Sequence, residues 1–159
     1  MLPAIRRAFE PMLRRVLHAY WRFARPMTLG VRALVTDESS RVLLVKHSYL
    51  SGWHLPGGGV EAGETLRQAL ARELLEEGHI EVTGAPELHG VFFNSQVSRR
   101  DHVALYVVRD FRMAAVPVAD REIVARGFFP IDALPGDTTP ATRTRIREIF
   151  AGAPKTEAW

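Results

Sequence analysis

Residues 58–80 read Gly58-Gly-Val-Glu-Ala-Gly-Glu64-Thr-Leu-Arg-Gln-Ala-Leu-Ala-Arg72-Glu73-Leu74-Leu-Glu76-Glu77-Gly-His-Ile80. A helix is predicted over Glu64–Glu77, which holds no glycine or proline, is rich in Ala, Leu, Arg and Glu, and stops at Gly78. On that helix Glu73, Glu76 and Glu77 stand at i,i+3 and i,i+4 spacing, so their carboxylates share an arc of about 100°. Like charges this close repel, and near a helix C-terminus they also oppose the macrodipole. A solvated face can carry that cost, or a bound cation can relieve it. Oxygen ligands without cysteine or paired histidine point to a hard ion, Mg²⁺ or Mn²⁺, rather than zinc. Spacing alone leaves both readings open.

The flanks add context. Gly57, Gly58 and Gly59 precede the helix, and backbone without side chains can approach a phosphate or lend a carbonyl to a metal. No Gly-Lys-Ser/Thr follows, so this is not a P-loop. Upstream, Gly30–Thr36 reads as a strand, Asp37–Ser40 as a turn and Arg41–Lys46 as the antiparallel partner, with a loop at His47–Gly52. Downstream, strands are expected at Glu87–Phe93, His102–Arg109 and Gly127–Phe129. A helix is expected over Asp137–Phe150, with Thr138 or Thr139 near its start, and residues 152–159 are expected to fray. The pattern is that of a mixed α/β (α+β) domain whose strands connect mostly by short turns.

The chain has 159 residues, enough for one domain with a core that buries about 68–70% of the unfolded surface. The absence of cysteine excludes a disulfide scaffold, a zinc–thiolate site, an iron–sulfur cluster and a thiol nucleophile. Net charge is +3, yet residues 1–27 carry six arginines against Glu10, a net of +5. The remainder is therefore net −2, a poor start for a general nucleic-acid binder. Within that leader Leu2, Ile5, Phe9, Met12, Val16, Tyr20, Phe23 and Met27 recur at steps of three and four, which predicts one apolar stripe on a basic amphipathic helix. Pro11 kinks that helix or stands in its first turn, and Pro26 closes it. The leader lacks the uninterrupted apolar run and cleavage site of a secretory signal, and no stretch is long enough to span a membrane. The expectation is that its stripe packs on the body or on a second copy as a homodimer contact. Peripheral contact with an anionic membrane is the competing reading.

Residues 58–80 resemble the signature box of the Nudix hydrolase family: a Gly, five residues, a Glu, seven residues, then Arg-Glu-apolar-any-Glu-Glu-any-Gly-apolar. Gly58, Glu64, Arg72, Glu73, Leu74, Glu76, Glu77 and Ile80 fall in register, and Trp53-His54-Leu55-Pro56-Gly57-Gly58 resembles the strand that leads into the box. The box's second glycine falls at His79, with Gly78 one place early. Either the helix ends one residue sooner at Gly78, or His79 itself adopts a positive φ; both bear on the placement of Glu77.

The resemblance implies a mixed β-sheet sandwiched between helices over residues 28–151. It also implies a cytoplasmic, metal-dependent hydrolase that cleaves the diphosphate linkage of a nucleoside diphosphate derivative (a nucleotide-sugar, dinucleotide or nucleoside triphosphate). Mg²⁺, with Mn²⁺ as a substitute, would be held by Glu73, Glu76, Glu77 and the backbone carbonyl near Gly58. Arg72 would fix the carboxylates, with Glu64 paired to it. The general base would be Glu73 or, from a later loop, Glu122. Trp53, Phe92, Phe93 and Tyr106 could stack a base, and Arg99 and Arg100 could grip a phosphate, while His47, His54, His89 and His102 show no metal spacing. Two alternatives use the same fold. One is a non-catalytic nucleotide-binding sensor or membrane-attached module. The other, isopentenyl diphosphate isomerisation, normally needs a cysteine that this chain lacks.

Overall fold

The computed structural model describes residues 12, 14–17, 19–21, 23, 24, 26–114 and 122–159. Strand β1 (Thr28–Val35) runs parallel to β5 (Asp101–Val108), and β4 (Glu87–Phe93) lies antiparallel on the far side of β5. Strand β2 (Arg41–His47) pairs antiparallel with β7 (Ile123–Pro130), and the short β3 (Ile80–Val82) pairs with β6 (Phe111–Met113). Helix α1 (Leu66–Gly78) follows the glycines, and α2 (Pro140–Phe150) follows β7.

Alternation along the strands divides the core in two. Val31, Ala33 and Val35 of β1, Leu43 of β2, and Ala104, Tyr106 and Val108 of β5 pack with Ala69, Leu70 and Leu74 of α1. Their neighbours Leu34, Val42, Leu44, Leu105 and Val107 point the other way and pack with Ile146 of α2. Successive strand residues face opposite sides, so strands buried on both faces read as nearly unbroken apolar runs. A mixed sheet layered between two helices is the result, as expected.

The expected β1–β2 pairing is corrected. Only Thr36 and Val42 bridge, beside a turn in which the Asp37 carboxylate accepts from the Ser39 and Arg41 amides at 3.0 and 2.9 Å. Both edges of β1 are already taken. One holds β5; on the other the Val31 amide donates to Gly58 O and the Ala33 amide to Pro56 O, each at 2.9 Å. Strand β2 therefore pairs with β7, and the segment 53–60 joins the two pairs, since His54 bridges to Val45 of β2 and Gly59 to Gly30 of β1.

Two further expectations change. Residues 152–159 do not fray among the described contacts: the Phe93 amide donates to Glu157 O and the Trp159 amide to Phe93 O, both at 2.9 Å. The described leader positions between 12 and 24 are helical, but Met12, Val16, Tyr20, Phe23 and Met27 are exposed, Phe23 to 82%. At these positions the stripe is not buried on the body; its residues before 12 lie outside the described set.

Candidate active site

Helix α1 starts on a capping box. The Thr65 hydroxyl accepts from the Gln68 amide while the Gln68 side chain accepts from the Thr65 amide. At the other end the open question is settled by His79, which stands in the left-handed region at φ 54° and donates its amide to Leu74 O. Gly78 remains helical and buried, and a Cβ there would lie 3.0 Å from Leu43 Cδ2. The early glycine thus answers a packing need against β2, and His79 performs the turn that glycine usually performs. Glu77 keeps its helical place.

The acidic face lies against the glycine segment. Gly57 has φ +137°, and its amide donates to Glu77 Oε2 at 2.7 Å. A Cβ on Gly58 would come within 2.5 Å of Glu73 Oε1, so only glycine leaves room for that carboxylate. Arg72 gathers the remaining groups. Its Nε and Nη2 donate to both oxygens of Glu64 at 3.0 and 3.1 Å, Nη1 to Glu73 Oε1 at 2.6 Å, and Nη2 also to Gly59 O at 3.0 Å. Glu76, the most exposed of the three helix glutamates, lies 3.5 Å from the same guanidinium. Burial pushes the Glu73 carboxyl above its ordinary range against the pull of Arg72. Hydrogen bonds from Arg72 hold Glu64 below it and raise Arg72 in turn.

Two further groups belong here, His47, set aside for want of metal spacing, and Arg32, missed in the sequence. His47, buried at the end of β2 beyond a register shift, places Nε2 3.5 Å from Glu77 Oε1. Arg32, the one charged residue in β1, donates to Leu55 O and Gly57 O. Burial lowers its pKa, and Glu77 and Glu73 oppose that shift. A lone arginine inside an apolar strand was the available signal for it.

Behind the glycines opens a cleft of about 630 Å³, lined among others by Arg32, Gly58, Gly59, Asn94, Asp101 and Trp159. The glycine segment is therefore a wall shared by the cleft and the acidic face. The other candidates sit apart. Glu122 is exposed one residue before β7 and accepts from the Tyr49 hydroxyl at 3.3 Å. Tyr49 in turn stacks obliquely on His47 at 5.2 Å, which ties Glu122 to the site's edge. Arg99 and Arg100 are exposed in the β4–β5 turn and do not line the cleft. Trp53 packs edge-on against Phe129 at 4.9 Å in the second core cluster rather than on the cleft.

Among the described residues no three acidic or histidine side chains converge as a ready metal cage. Arg72 and the Gly57 amide hold the carboxylates instead, with His47 beside Glu77. The donor set still fits a hard divalent ion: Mg²⁺ commonly uses one or two carboxylates and completes its shell with water and substrate phosphate oxygens. Gly58 against Glu73 is the close approach such a site requires.

Comparison with known proteins gives the family. The NUDIX domain family model matches residues 26–150. A Bacillus subtilis (strain 168) protein provisionally named 8-oxo-dGTP diphosphatase is 46% identical over 50 residues, 31% of this chain and 34% of that protein. An RNA pyrophosphohydrolase of Legionella pneumophila (strain Corby) is 37% identical over 62 residues, 36% of this chain and 35% of its own. The chain thus spans about a third of the length of these curated relatives. The crystal structure of a MutT NUDIX hydrolase from Burkholderia pseudomallei superposes with a TM-score of 0.65 at 27% identity, covering 77% of this chain and 97% of that one.

Proposed function

The chain belongs to the Nudix family, and from that premise we propose that it is a Mg²⁺-dependent pyrophosphohydrolase that cleaves the diphosphate linkage of a nucleoside diphosphate derivative. The observation that carries this reading is the shared glycine wall, with a glutamate face on one side and a cleft containing Arg32 on the other. Nudix hydrolases generally use divalent metal ions, and here Glu73, Glu76, Glu77 and the Gly58 carbonyl would hold one, with Mn²⁺ as a substitute for Mg²⁺. Such an ion, when bound, offsets the negative charge of a diphosphate and lowers the pKa of an attacking water.

The chain's own residues do the rest. Arg72 fixes Glu64 and Glu73 through a forked set of hydrogen bonds, a geometry that a lysine could not reproduce. Arg32 presents positive charge to the cleft, where an anionic diphosphate would lie. Glu73 is the favoured general base: Arg72 holds it rigidly against the glycine segment. Glu122 is the second candidate for that role. We place the protein in the cytoplasm, acting on a small nucleotide rather than on a specific nucleic acid. No helix among the described residues is long and apolar enough to cross a membrane. The leader remains a candidate for peripheral membrane contact or a homodimer contact.

The test is a panel of nucleotide-sugars, dinucleotides and nucleoside triphosphates incubated with Mg²⁺, with products resolved by chromatography. Release of a nucleoside monophosphate from at least one member is expected. Tight binding without turnover of any member would replace this reading by that of a nucleotide sensor.

A further inference from the structure

Residues 152–159 are fastened to the domain by buried charge. Arg145 and Glu148 of α2 pair at 3.1 Å with both side chains about 1% exposed. Arg145 Nη2 also donates to Thr156 Oγ1 and to Ala158 O, and Glu148 Oε1 accepts from the Thr156 amide at 3.0 Å. The rest of the Arg145 guanidinium has no hydrogen-bond partner and lies over aromatic rings instead, 4.0 Å from the Phe92 centroid and 5.7 Å from that of Trp159. A buried ion pair is a costly way to secure a surface segment, because leaving either partner alone is strongly destabilising. What the clamp positions is Trp159, which meets Phe92 edge-on at 5.9 Å and lines the cleft.

Trp159 arrives beside a fixed polar edge. Its amide donates to Phe93 O, one residue before Asn94. Asn94 and Asp101 are each 8% exposed and both line the cleft. The Asp101 carboxylate accepts from Asn94 Nδ2 at 2.8 Å and from Thr28 Oγ1 at 2.6 Å. A carboxylate only accepts, so it orients the Asn94 amide with nitrogen inward and leaves its carbonyl and second N–H for another partner. An aromatic ring and a preset acceptor–donor pair lining one cleft match a nucleobase, which stacks through its ring and carries adjoining donors and acceptors on its edge.

We propose that Trp159 and Asn94 form the base-recognition subsite of the cleft, Trp159 stacking the base and Asn94 reading its edge. This rests on the nucleotide reading above and assigns the part of the substrate that the glutamate face does not touch.

The test measures binding of AMP, GMP, CMP, UMP and ribose 5-phosphate to the full chain by titration calorimetry with Mg²⁺ present. Hydrolysis of nucleoside diphosphate derivatives is followed on the same preparations. The wild type is expected to prefer at least one nucleoside monophosphate over ribose 5-phosphate by about tenfold or more, the scale of one aromatic stacking contact. W159A is expected to cut that ratio below about threefold and W159F to keep most of it, while N94A levels the affinities among the four bases. A ratio in W159A equal to that of the wild type, or no base preference in the wild type, overturns the subsite. Base preference without any turnover supports the subsite and contradicts the hydrolase reading, so the two failures are distinct. Should W159A not fold, tryptophan emission supplies the second measurement: quenching by nucleotide in the wild type that persists unchanged in W159F would equally overturn the assignment.

Discussion

Gly58 is where residue identity bears most sharply on the proposed chemistry. A single methyl group there would meet Glu73 Oε1, Cδ and Oε2 at 2.5, 2.7 and 2.8 Å, and the displaced carboxylate is already fixed from the other side by Arg72. G58A is therefore expected to retain its fold and lose about 10²-fold or more in turnover, read by circular dichroism and steady-state kinetics on one preparation. The general base separates at the same scale. Loss near 10²-fold or more in E73Q with a small effect in E122Q is expected, and the reverse pattern would move the role to the loop carboxylate. Arg72, Glu73, Glu76 and Glu77 were legible in the sequence because their spacing on one helix fixes their mutual placement, whereas Glu64, which lies before the cap, came with the family resemblance. Arg32 and His47 were not, since each reaches the site through strand register, which one sequence does not display.

At the scale of elements, helix α1 shows how a departure from a family pattern can leave geometry intact. Gly78 packs against Leu43, and His79 takes the left-handed turn. A β-branched side chain tolerates that conformation poorly. H79V is expected to lower stability by about 1–2 kcal/mol, whereas H79G should be neutral or slightly stabilising; thermal melts of the two variants check this. Equal stability of all three proteins would mean that the αL turn carries no strain. The helices were legible because composition and stop signals are local, but both start later than expected: Thr65 caps α1, expected from Glu64, and Thr139 caps α2, expected from Asp137. The pairing of β1 was misread because a short turn between two apolar runs looks like a hairpin whatever else competes for the strand edge. Here the glycine segment and β5 had both edges. The small strands β3 and β6, of three residues each, carry too little pattern to be seen at all.

At the scale of the whole molecule, charge is divided between a basic leader and a net acidic body. The described stripe residues of the leader are exposed, so removing residues 1–27 is expected to leave the melting temperature of the domain nearly unchanged. Cosedimentation with vesicles containing phosphatidylserine, present in the full chain and lost in the truncated one, would support membrane contact. A shift from dimer to monomer on truncation, without vesicle binding, would support the second copy instead. The mixed α/β class was legible from apolar runs and turns, while the sheet layered between helices came with the family resemblance. The packing of residues 152–159 was not, because Arg145 and Glu148, four positions inclusive on α2, look like an ordinary surface pair until Phe92 covers Arg145 and Thr156 meets both.

The central claim is that the glutamate face beside the glycine wall carries out metal-dependent hydrolysis. Its most direct measurement is turnover of the best panel substrate against Mg²⁺ concentration, for the wild type and for E77Q. The expected result is activity that saturates with Mg²⁺ and vanishes with chelator, with E77Q reduced about 10²-fold or more and needing more Mg²⁺ to reach half its maximum. Turnover that persists undiminished in chelator, or an E77Q curve that overlays the wild type, would contradict it.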